Sequence, residues 1–302
     1  MTALFKDHGL GIGLRPQHFS HLKTKPHPSL QWVEALTENY LSWNELPKPN
    51  SRRHLLEIRK NIPIALHGVS LSVGSIGLDR TSYLQSLKEL ADQVEPLWIS
   101  DHLCWTTHQG VNHHDLLPLP YTQEAINTVV ENVQRAQDQL KRHILLENLS
   151  SYVEFASSEM TEWEFLAEIA KRADCGILLD INNVYVSSIN HRFDPLKYLS
   201  AIPRERIGQI HLAGHSIQDG YLVDTHDAPV CTEVWDLFRW ASENLGLAST
   251  MIEWDAKIPE FSVLMTEVEK AGAIRNDVAE NHKSHISPSF GEKGEVSDSL
   301  TL

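Results

Sequence analysis

The sequence contains few cysteines and no long apolar run. Its 302 residues include only three cysteines, Cys104, Cys175 and Cys231, and none has the Cys-x-x-Cys spacing. This excludes a disulfide framework, a four-cysteine zinc site and a cysteine-ligated iron–sulfur cluster. No stretch approaches the roughly 18 apolar residues that a membrane span requires, and no signal peptide is visible at the N-terminus. We therefore expect a cytoplasmic protein.

Basic residues are also scarce. Lysine and arginine number 26 against 40 aspartate and glutamate residues, which gives a formal charge of −14. Because phosphate backbones and anionic lipids are bound through positive surface, this charge argues against a nucleic-acid partner and against a membrane partner. Histidine, in contrast, is abundant at 17 residues, which is more than structural roles usually need.

Short β-type runs alternate with segments of helical spacing along the chain. Strands are predicted at residues 10–14, 32–36, 62–66, 97–100, 143–146, 176–179, 207–212 and 250–252. Between them, Thr161 and Glu164 have the spacing of a capping box, and Asp194-Pro195 is typical of a helix start. Eight apolar strands that alternate with helices predict an α/β fold in which a parallel sheet closes into a (β/α)8 TIM barrel.

No linker or internal repeat divides the chain. A barrel takes up about 250 residues as one domain, so we expect a single barrel domain over residues 1–273. The last predicted helix covers residues 259–271 and ends at Gly272. The segment 274–302 is polar and lacks periodicity, and we predict that it is a flexible C-terminal tail.

Ionisable side chains follow most of the predicted strands. In chain order these residues are His67, Asp101 with His102, Glu147, Asp180 with Asn183 beyond it, His211, Asp224, His226 and Glu253. In a barrel of parallel strands they meet at the C-terminal rim, where barrel active sites lie. Burial of several carboxylates together is prohibitive unless cations pair with them, so the pattern predicts a metal cluster.

The ligand types limit the metal without selecting it. Imidazole and carboxylate groups suit Zn²⁺, Mn²⁺ and non-haem iron alike. Four carboxylates and four histidines exceed the needs of a single ion. The sequence therefore predicts two or three ions that share bridging carboxylates.

At these residues the sequence resembles the multinuclear non-haem iron-dependent oxidases, long known as domain of unknown function 692, which include the oxidase subunit of methanobactin biosynthesis. The matching segments follow the family's order from about residue 9 to residue 255: GIGLRPQH, TENY, ALHGVSLSVGS, SDHLCW, HHDLLPLPYT, LLENLSSY, LLDINNVYVS, IHLAGHS, VDTHDAPV and IEWD. HHDLLPLPYT and the series LLDINN, IHLAGHS and DTH are specific. The resemblance implies a barrel of the xylose-isomerase-like type, also found in three-metal endonucleases.

The family's metal ligands carry over residue by residue. The resemblance implies a first ion at His67, His102 and Glu147, a second at Glu147, Asp180, His211 and Glu253, and a third, more labile ion at Asn183, Asp224 and His226. Glu147 would then bridge the first two ions. His215 lies in the family's HxxGH segment, and we predict that it is either a further ligand or a catalytic residue behind the ligands.

Other residues of these segments are candidates for catalysis or substrate contact. Asp101 either orients the imidazole of its neighbour His102 as a catalytic residue or caps a helix. Asn39 in TENY and Trp105 are predicted to contact substrate. The remaining candidates are Tyr40, Trp43 and Trp254, which either line a peptide cleft or pack at the rim, and Cys104, which we interpret as a small buried hydrophobic side chain.

The resemblance also implies a function. It is that of an oxidase that uses iron and O2 to modify cysteine residues of a ribosomally made precursor peptide, giving oxazolone–thioamide or thiooxazole-type products linked to copper binding or metal homeostasis. The cofactors would be two or three iron ions in a mixed-valent Fe(II)/Fe(III) state, with O2 as co-substrate. The partners would be the cysteine-containing precursor and a companion protein that binds its leader and forms a heterodimer with the oxidase.

Three alternatives remain at this point. A three-zinc abasic-site endonuclease or phosphodiesterase shares the barrel, but its pattern has a histidine where this chain has Asn183, and it needs basic loops. A sugar isomerase with two divalent ions fits the strand ends less well. A metal-binding scaffold without turnover is supported by the labile third site and by His282 and His285 in the C-terminal segment.

Overall fold

Twelve strands are present in the computed structural model, which describes residues 4–24, 26–42, 49–108 and 111–286. They are β1 Leu10–Gly13, β2 Trp32–Leu36, β3 Ile64–Gly68, β4 Ile99–His102, β5 Trp105–His108, β6 Val111–Leu117, β7 Leu145–Glu147, β8 Gly176–Asp180, β9 Ile207–Leu212, β10 Ser216–Gln218, β11 Tyr221–Val223 and β12 Ser249–Ile252. Eight of them form a closed parallel barrel in the order β1-β2-β3-β4-β7-β8-β9-β12. These eight correspond to the eight predicted strands, so the predicted TIM barrel is confirmed.

The helices of the described residues surround the barrel. They are α1 Phe19–Leu22, α2 Pro49–Arg59, α3 Thr81–Val94, α4 Gln123–Leu140, α5 Glu162–Ala173, α6 Ile181–His191, α7 Pro195–Ala201, α8 Thr232–Asn244 and α9 Phe261–Ile286. The predicted capping box is present at α5, where the Thr161 N–H donates to the Glu164 carboxylate at 2.9 Å. Asp194 begins α7 as predicted, since its carboxylate accepts from Leu196 N at 2.9 Å. No helix in these ranges is both long and apolar enough to cross a membrane.

The interior of the barrel changes from apolar to ionisable along the strands. Near the N-terminal ends, one apolar cluster consists of Trp32, Ala65, Trp98, Leu145, Leu178 and Met251. Because side chains two residues apart on a strand lie on the same face, the next interior layer consists of Glu34, His67, Ser100, Glu147, Asp180 and Glu253. The lower layer closes the barrel, and the upper layer places ionisable groups beneath its C-terminal opening.

The C-terminal helix is longer than its sequence indicated. Helix α9 continues through Gly272 to Ile286, so the predicted helix end at Gly272 is wrong, and residues 274–286 of the predicted tail are helical. Ala271, Ile274 and Val278 follow one another at helical spacing, and all three are buried. The apolar face of α9 therefore continues past Gly272. A Cβ atom at Gly272 would lie 3.2 Å from Leu10 Cδ1, so this glycine allows close packing on β1 rather than ending the helix. The prediction for 287–302 lies outside the described residues.

Two antiparallel hairpins at the C-terminal side were not predicted. Strand β5 pairs with β6 directly after β4, and β10 pairs with β11 after β9. The β5–β6 hairpin contributes Asp115 and Leu116 to the opening of the barrel. The β10–β11 hairpin leads into the segment that carries Asp224 and His226.

Candidate metal centre

Strand register brings the predicted ligands into neighbouring positions. His102 at the end of β4 is aligned with Glu147 at the end of β7, and Asp180 on β8 is aligned with His211 on β9. These four residues are buried, with at most 8% of each exposed. Burial of so many ionisable groups at one level of the barrel is the arrangement that the strand-end pattern predicted.

The first group of candidate ligands consists of His67, His102 and Glu147. Both imidazoles direct Nε2 at one oxygen of the carboxylate: the distances to Glu147 Oε2 are 3.2 Å from His67 and 3.3 Å from His102. Their opposite nitrogens have fixed partners, because His67 Nδ1 lies 2.9 Å from Ser100 Oγ and His102 Nδ1 lies 3.0 Å from Gly68 O. When each Nδ1 donates to its oxygen, both Nε2 lone pairs are free for one ion.

The second group consists of Glu147, Asp180, His211 and Glu253. His211 directs Nδ1 at all three carboxylates, at 2.9 Å from Glu253 Oε2, 3.5 Å from Glu147 Oε1 and 3.8 Å from Asp180 Oδ2. Glu147 therefore belongs to both groups, with Oε2 facing the first and Oε1 facing the second. This is the geometry of a carboxylate that can bridge two ions.

The third group lies nearer the solvent. His226 Nε2 is 2.6 Å from Asp224 Oδ1, whereas its Nδ1 is 3.1 Å from Asp255 Oδ2 and 3.4 Å from Glu253 Oε2. Asn183 at the start of α6 donates from Nδ2 to Asn148 O at 3.0 Å, and its Oδ1 has no hydrogen-bond partner. On the Nδ1 side of the ring, His226, Glu253 and Asp255 lie close enough together to hold an ion, and Asp255 was not predicted. Asp224 faces the opposite nitrogen, Nε2.

Orphaned polar atoms support cation binding at this centre. Glu147 Oε2, Asp180 Oδ2, Asn183 Oδ1 and His211 Nδ1 are all buried without a hydrogen-bond partner. An unpaired buried polar atom normally costs about 1–3 kcal/mol, so four such atoms at one place need an explanation. All four are atoms that would face an ion, and the mixed oxygen and nitrogen donor set suits a first-row transition metal. The residues present therefore fit a multinuclear metal site.

Four ionisable groups of the centre, His67, His102, Asp180 and His226, have perturbed pKa values. Burial lowers the pKa of His102 to about 4, and it also lowers the pKa of His67. Burial acts in the same direction on His226, but Asp224 and Glu253 outweigh it and raise the pKa of His226 to about 10. Burial and the neighbouring Glu147 raise the pKa of Asp180 well above its usual value. Such opposed shifts in one cluster are typical of functional sites.

A cavity of about 990 Å³ leads from the rim to the candidate ligands. His67, His102, Glu147, Asn183, Asp224, His226 and Glu253 line it, together with the predicted substrate residue Asn39. Its wall also includes Arg15, Tyr40 and Tyr152. Small-molecule sites usually measure about 300–1,000 Å³, so this cavity is large enough for a segment of peptide.

The two predicted catalytic residues, Asp101 and His215, contact other partners than the candidate ligand atoms. The Asp101 carboxylate accepts from the backbone N–H groups of Leu71 and His102, and the His102 imidazole has Gly68 O as its partner. The interpretation that Asp101 orients this imidazole is therefore wrong, because the carboxylate fixes the loop after β3 instead. His215 Nδ1 lies 2.8 Å from Asn182 Oδ1. Asn182 in turn donates to Asp224 at 2.7 Å, so His215 supports that residue indirectly.

The predicted aromatic residues mostly pack at the rim. Trp105 donates to Pro118 O at 2.9 Å and packs on the core instead of lining the cavity. Trp254 is buried, whereas Tyr40 is buried but still borders the cavity. Cys104 is fully buried, and burial raises the pKa of its thiol well above the usual value, as suits a small hydrophobic side chain. Trp43 lies outside the described residues.

Sequence reasoning missed three charged residues of this region. Glu34 is buried on β2 beside His211, and a single glutamate within the apolar strand WVEAL was a signal that could have identified it. Asp255 accepts from Arg15 with one oxygen and faces His226 with the other. Asp255 and Arg15 both lie in segments that carried the family resemblance, the first in IEWD and the second in GIGLRPQH.

The fold and the site together define a TIM barrel with buried groups of candidate metal ligands at its C-terminal face. A family model described as "RiPP precursor modification enzyme MbnB/TglH/ChrH" matches residues 9–276. The chain belongs to this family of enzymes that modify ribosomally made peptides, and the predicted resemblance is confirmed.

Curated relatives match most of the chain. The chain is 51% identical to a UPF0276 protein from Anaeromyxobacter sp. (strain Fw109-5), over 88% of this chain and 92% of the relative. A UPF0276 protein from Vibrio parahaemolyticus is 44% identical over 89% of this chain and 93% of the relative.

Similar solved structures have much lower identity. Endonuclease IV from Thermus thermophilus has a TM-score of 0.58 at 17% identity, with 90% of this chain and 99% of that chain covered. L-ribulose 3-epimerase has a TM-score of 0.59 at 11% identity, with 96% and 99% covered. At these identities the likeness concerns the fold alone.

Proposed function

We propose that this protein is an iron- and O2-dependent oxidase that modifies cysteine residues of a ribosomally made precursor peptide. The observation that carries the proposal is the position of Glu147, whose two oxygens face two adjacent groups of candidate ligands. A bridged pair of ions suits redox chemistry at the end of a cavity. Family membership provides the peptide substrate class.

Bound iron would supply the oxidising chemistry by reacting with O2 and the cysteine side chain. The chain's own residues would prepare this reaction. His67 and His102 would remain neutral ligands at physiological pH, because burial lowers the pKa of both imidazoles. Glu147 would fix the spacing of the two ions. Low exposure of all these groups would limit the access of water while the substrate cysteine is bound.

The cavity would take the cysteine and its neighbours from the rim. Asn39 is exposed and lines the cavity, which supports the proposal that it contacts the peptide backbone. We also propose a companion protein that binds the leader of the precursor, oxazolone–thioamide or thiooxazole-type products, and a link to copper binding or metal homeostasis. Outer residues Asn183, Asp224 and His226 would hold a third, more labile iron ion.

Metal analysis and co-expression test this proposal. Protein purified without oxygen should contain two or three equivalents of iron and give a mixed-valent signal in electron paramagnetic resonance. Co-expression with a cysteine-containing precursor encoded nearby should change the peptide mass only when iron and O2 are both present. Stoichiometric zinc with cleavage of abasic DNA would overturn the proposal in favour of a phosphodiesterase. An unchanged peptide mass with iron loaded and O2 present would instead support a metal-binding scaffold.

A further inference from the structure

A buried carboxylate that belongs to none of the predicted ligand sets lies directly behind the second group. Glu34 on β2 is 3% exposed, and its Oε1 is 3.2 Å from His211 Nε2. The imidazole of His211 therefore has carboxylates on both sides. Its Nδ1 faces the ligand group, and its Nε2 faces Glu34.

The neighbours of Glu34 determine which of its oxygens is available. Trp98 Nε1 donates to Gln209 Oε1, which leaves the amide nitrogen of Gln209 facing Glu34. Gln209 Nε2 then donates to Glu34 Oε2 at 2.6 Å. With the Gln209 amide reversed, its oxygen would face the Glu34 carboxylate and its NH2 group would face the indole N–H of Trp98, and neither contact could be a hydrogen bond. Glu34 Oε2 is thus satisfied, and Oε1 remains for His211.

The position of the proton on His211 decides whether this residue can bind an ion. Gln209 Nε2 also lies 2.6 Å from His211 Nε2 and could donate to it only if that ring nitrogen carried no proton. The neutral ring would then carry its proton on Nδ1, the atom that faces Glu147, Asp180 and Glu253. An ion in the second group requires the other tautomer, with the proton on Nε2 and Glu34 as its acceptor.

We propose that Glu34 is a positioning residue that accepts the Nε2 proton of His211 and so presents Nδ1 to the second ion. This inference rests on the proposed function only in requiring an ion in the second group. It requires neither iron nor oxidation of a peptide. Carboxylates behind metal-bound histidines commonly strengthen metal binding 10- to 100-fold, because they fix the tautomer and raise the basicity of the ring.

Zinc and cobalt binding by the full-length protein tests the inference. The Glu34→Gln variant keeps the shape of the side chain and removes its charge. We expect its affinity for the second ion to fall about 10- to 100-fold in chelator competition, with the cobalt absorption spectrum of that site altered. Glu162→Gln is the matched control. Glu162 accepts from Tyr198 at 2.9 Å and does not line the cavity, so the control variant should bind metal as tightly as the wild type.

A second measurement needs no variant. In the zinc-loaded wild-type protein, nitrogen-15 NMR should show His211 with a zinc-bound Nδ1 and a strongly hydrogen-bonded Nε2 proton. The inference is overturned if Nε2 binds the zinc instead, or if Glu34→Gln retains wild-type affinity. If zinc binding follows these expectations while peptides stay unmodified with iron and O2, the proposed function fails and the role of Glu34 stands.

Discussion

Arg275 is buried at the N-terminal end of the barrel, where it donates to Ala248 O and Thr250 Oγ1 and pairs with Asp7. At the C-terminal end, Glu147 Oε2 and Asp180 Oδ2 are equally buried without a hydrogen-bond partner. The N-terminal end therefore uses its buried polar groups for stability. The C-terminal end leaves polar atoms unpaired, at a cost in stability that a bound cation can offset.

The largest expected effect comes from Glu147→Gln. The substitution removes the negative charge that the two adjacent ligand groups share and replaces one of the two oxygens with an NH2 group, so we expect at most one tightly bound ion to remain of two or three. The metal-free variant should unfold at the same temperature as the wild type or higher, because a buried charge is lost. Elemental analysis and thermal unfolding measure the two effects. Retention of two ions would show that Glu147 does not bridge them.

Arg275→Met should have the opposite effects, with lower stability and unchanged metal content. Loss of the buried guanidinium leaves its acceptors unpaired and should lower the free energy of unfolding by about 3 kcal/mol, measured by chemical denaturation. Metal content should not change. Arg239→Met is the control, since the exposed pair of Arg239 and Asp277 should contribute less than about 1 kcal/mol. A change in metal content with Arg275→Met would contradict the division between the two ends.

At the C-terminal end, it should be possible to remove the ion of the outer group without losing the ions of the two buried groups. Asp224→Asn should remove only the third ion, because Asp224 faces His226 and is not a predicted ligand of the first or the second ion. Asp227→Asn is matched in charge and lies in the same loop, but Asp227 pairs with Lys257 at 2.6 Å. Elemental analysis should show one ion fewer in the first variant alone. If both variants lost the same amount of metal, the ion would be retained by the negative charge of the loop and not by ligation to Asp224.

The position of a residue along its strand also explains which residues of the site could be predicted from the sequence. His67, His102, Glu147 and Asp180 follow apolar strands, and barrel topology is sufficient to bring strand ends together. Glu34 was missed because it lies within a strand, where its partner is decided by register and by the alternation of the barrel interior.

Other errors had equally local causes. Gly272 was interpreted as a helix end because glycine usually marks one, whereas here it allows α9 to approach Leu10. One of the two interpretations of Asp101, that it orients the His102 ring, rested on their adjacency in sequence. On a strand, however, neighbouring side chains point to opposite faces, and the carboxylate turns to the backbone of the next loop.

The smallest expected effect is a difference in proton release between the first group, which contains His67 and His102, and the outer group. Burial holds the pKa of His102 at about 4, so this ligand is already neutral at pH 7, and metal binding displaces no proton from it. Burial alone would also lower the pKa of His226, but Asp224 and Glu253 raise it to about 10. An ion in the outer group must therefore displace a proton from His226 at pH 7.

The sign of the pH dependence follows from these pKa values. Outer-site affinity should increase about tenfold per pH unit between roughly pH 7 and pH 10, as the competing proton becomes scarcer. The stability that protonated His226 gives the metal-free fold is complete below its unfolded pKa of about 6.5 and is lost as the pH rises towards 10. Calorimetric titration with zinc, in buffers of different ionisation enthalpy, counts the protons released. Equal proton release at the first group, where His67 and His102 are already neutral, and at the outer group would show that His226 is not the ligand that makes the outer ion labile.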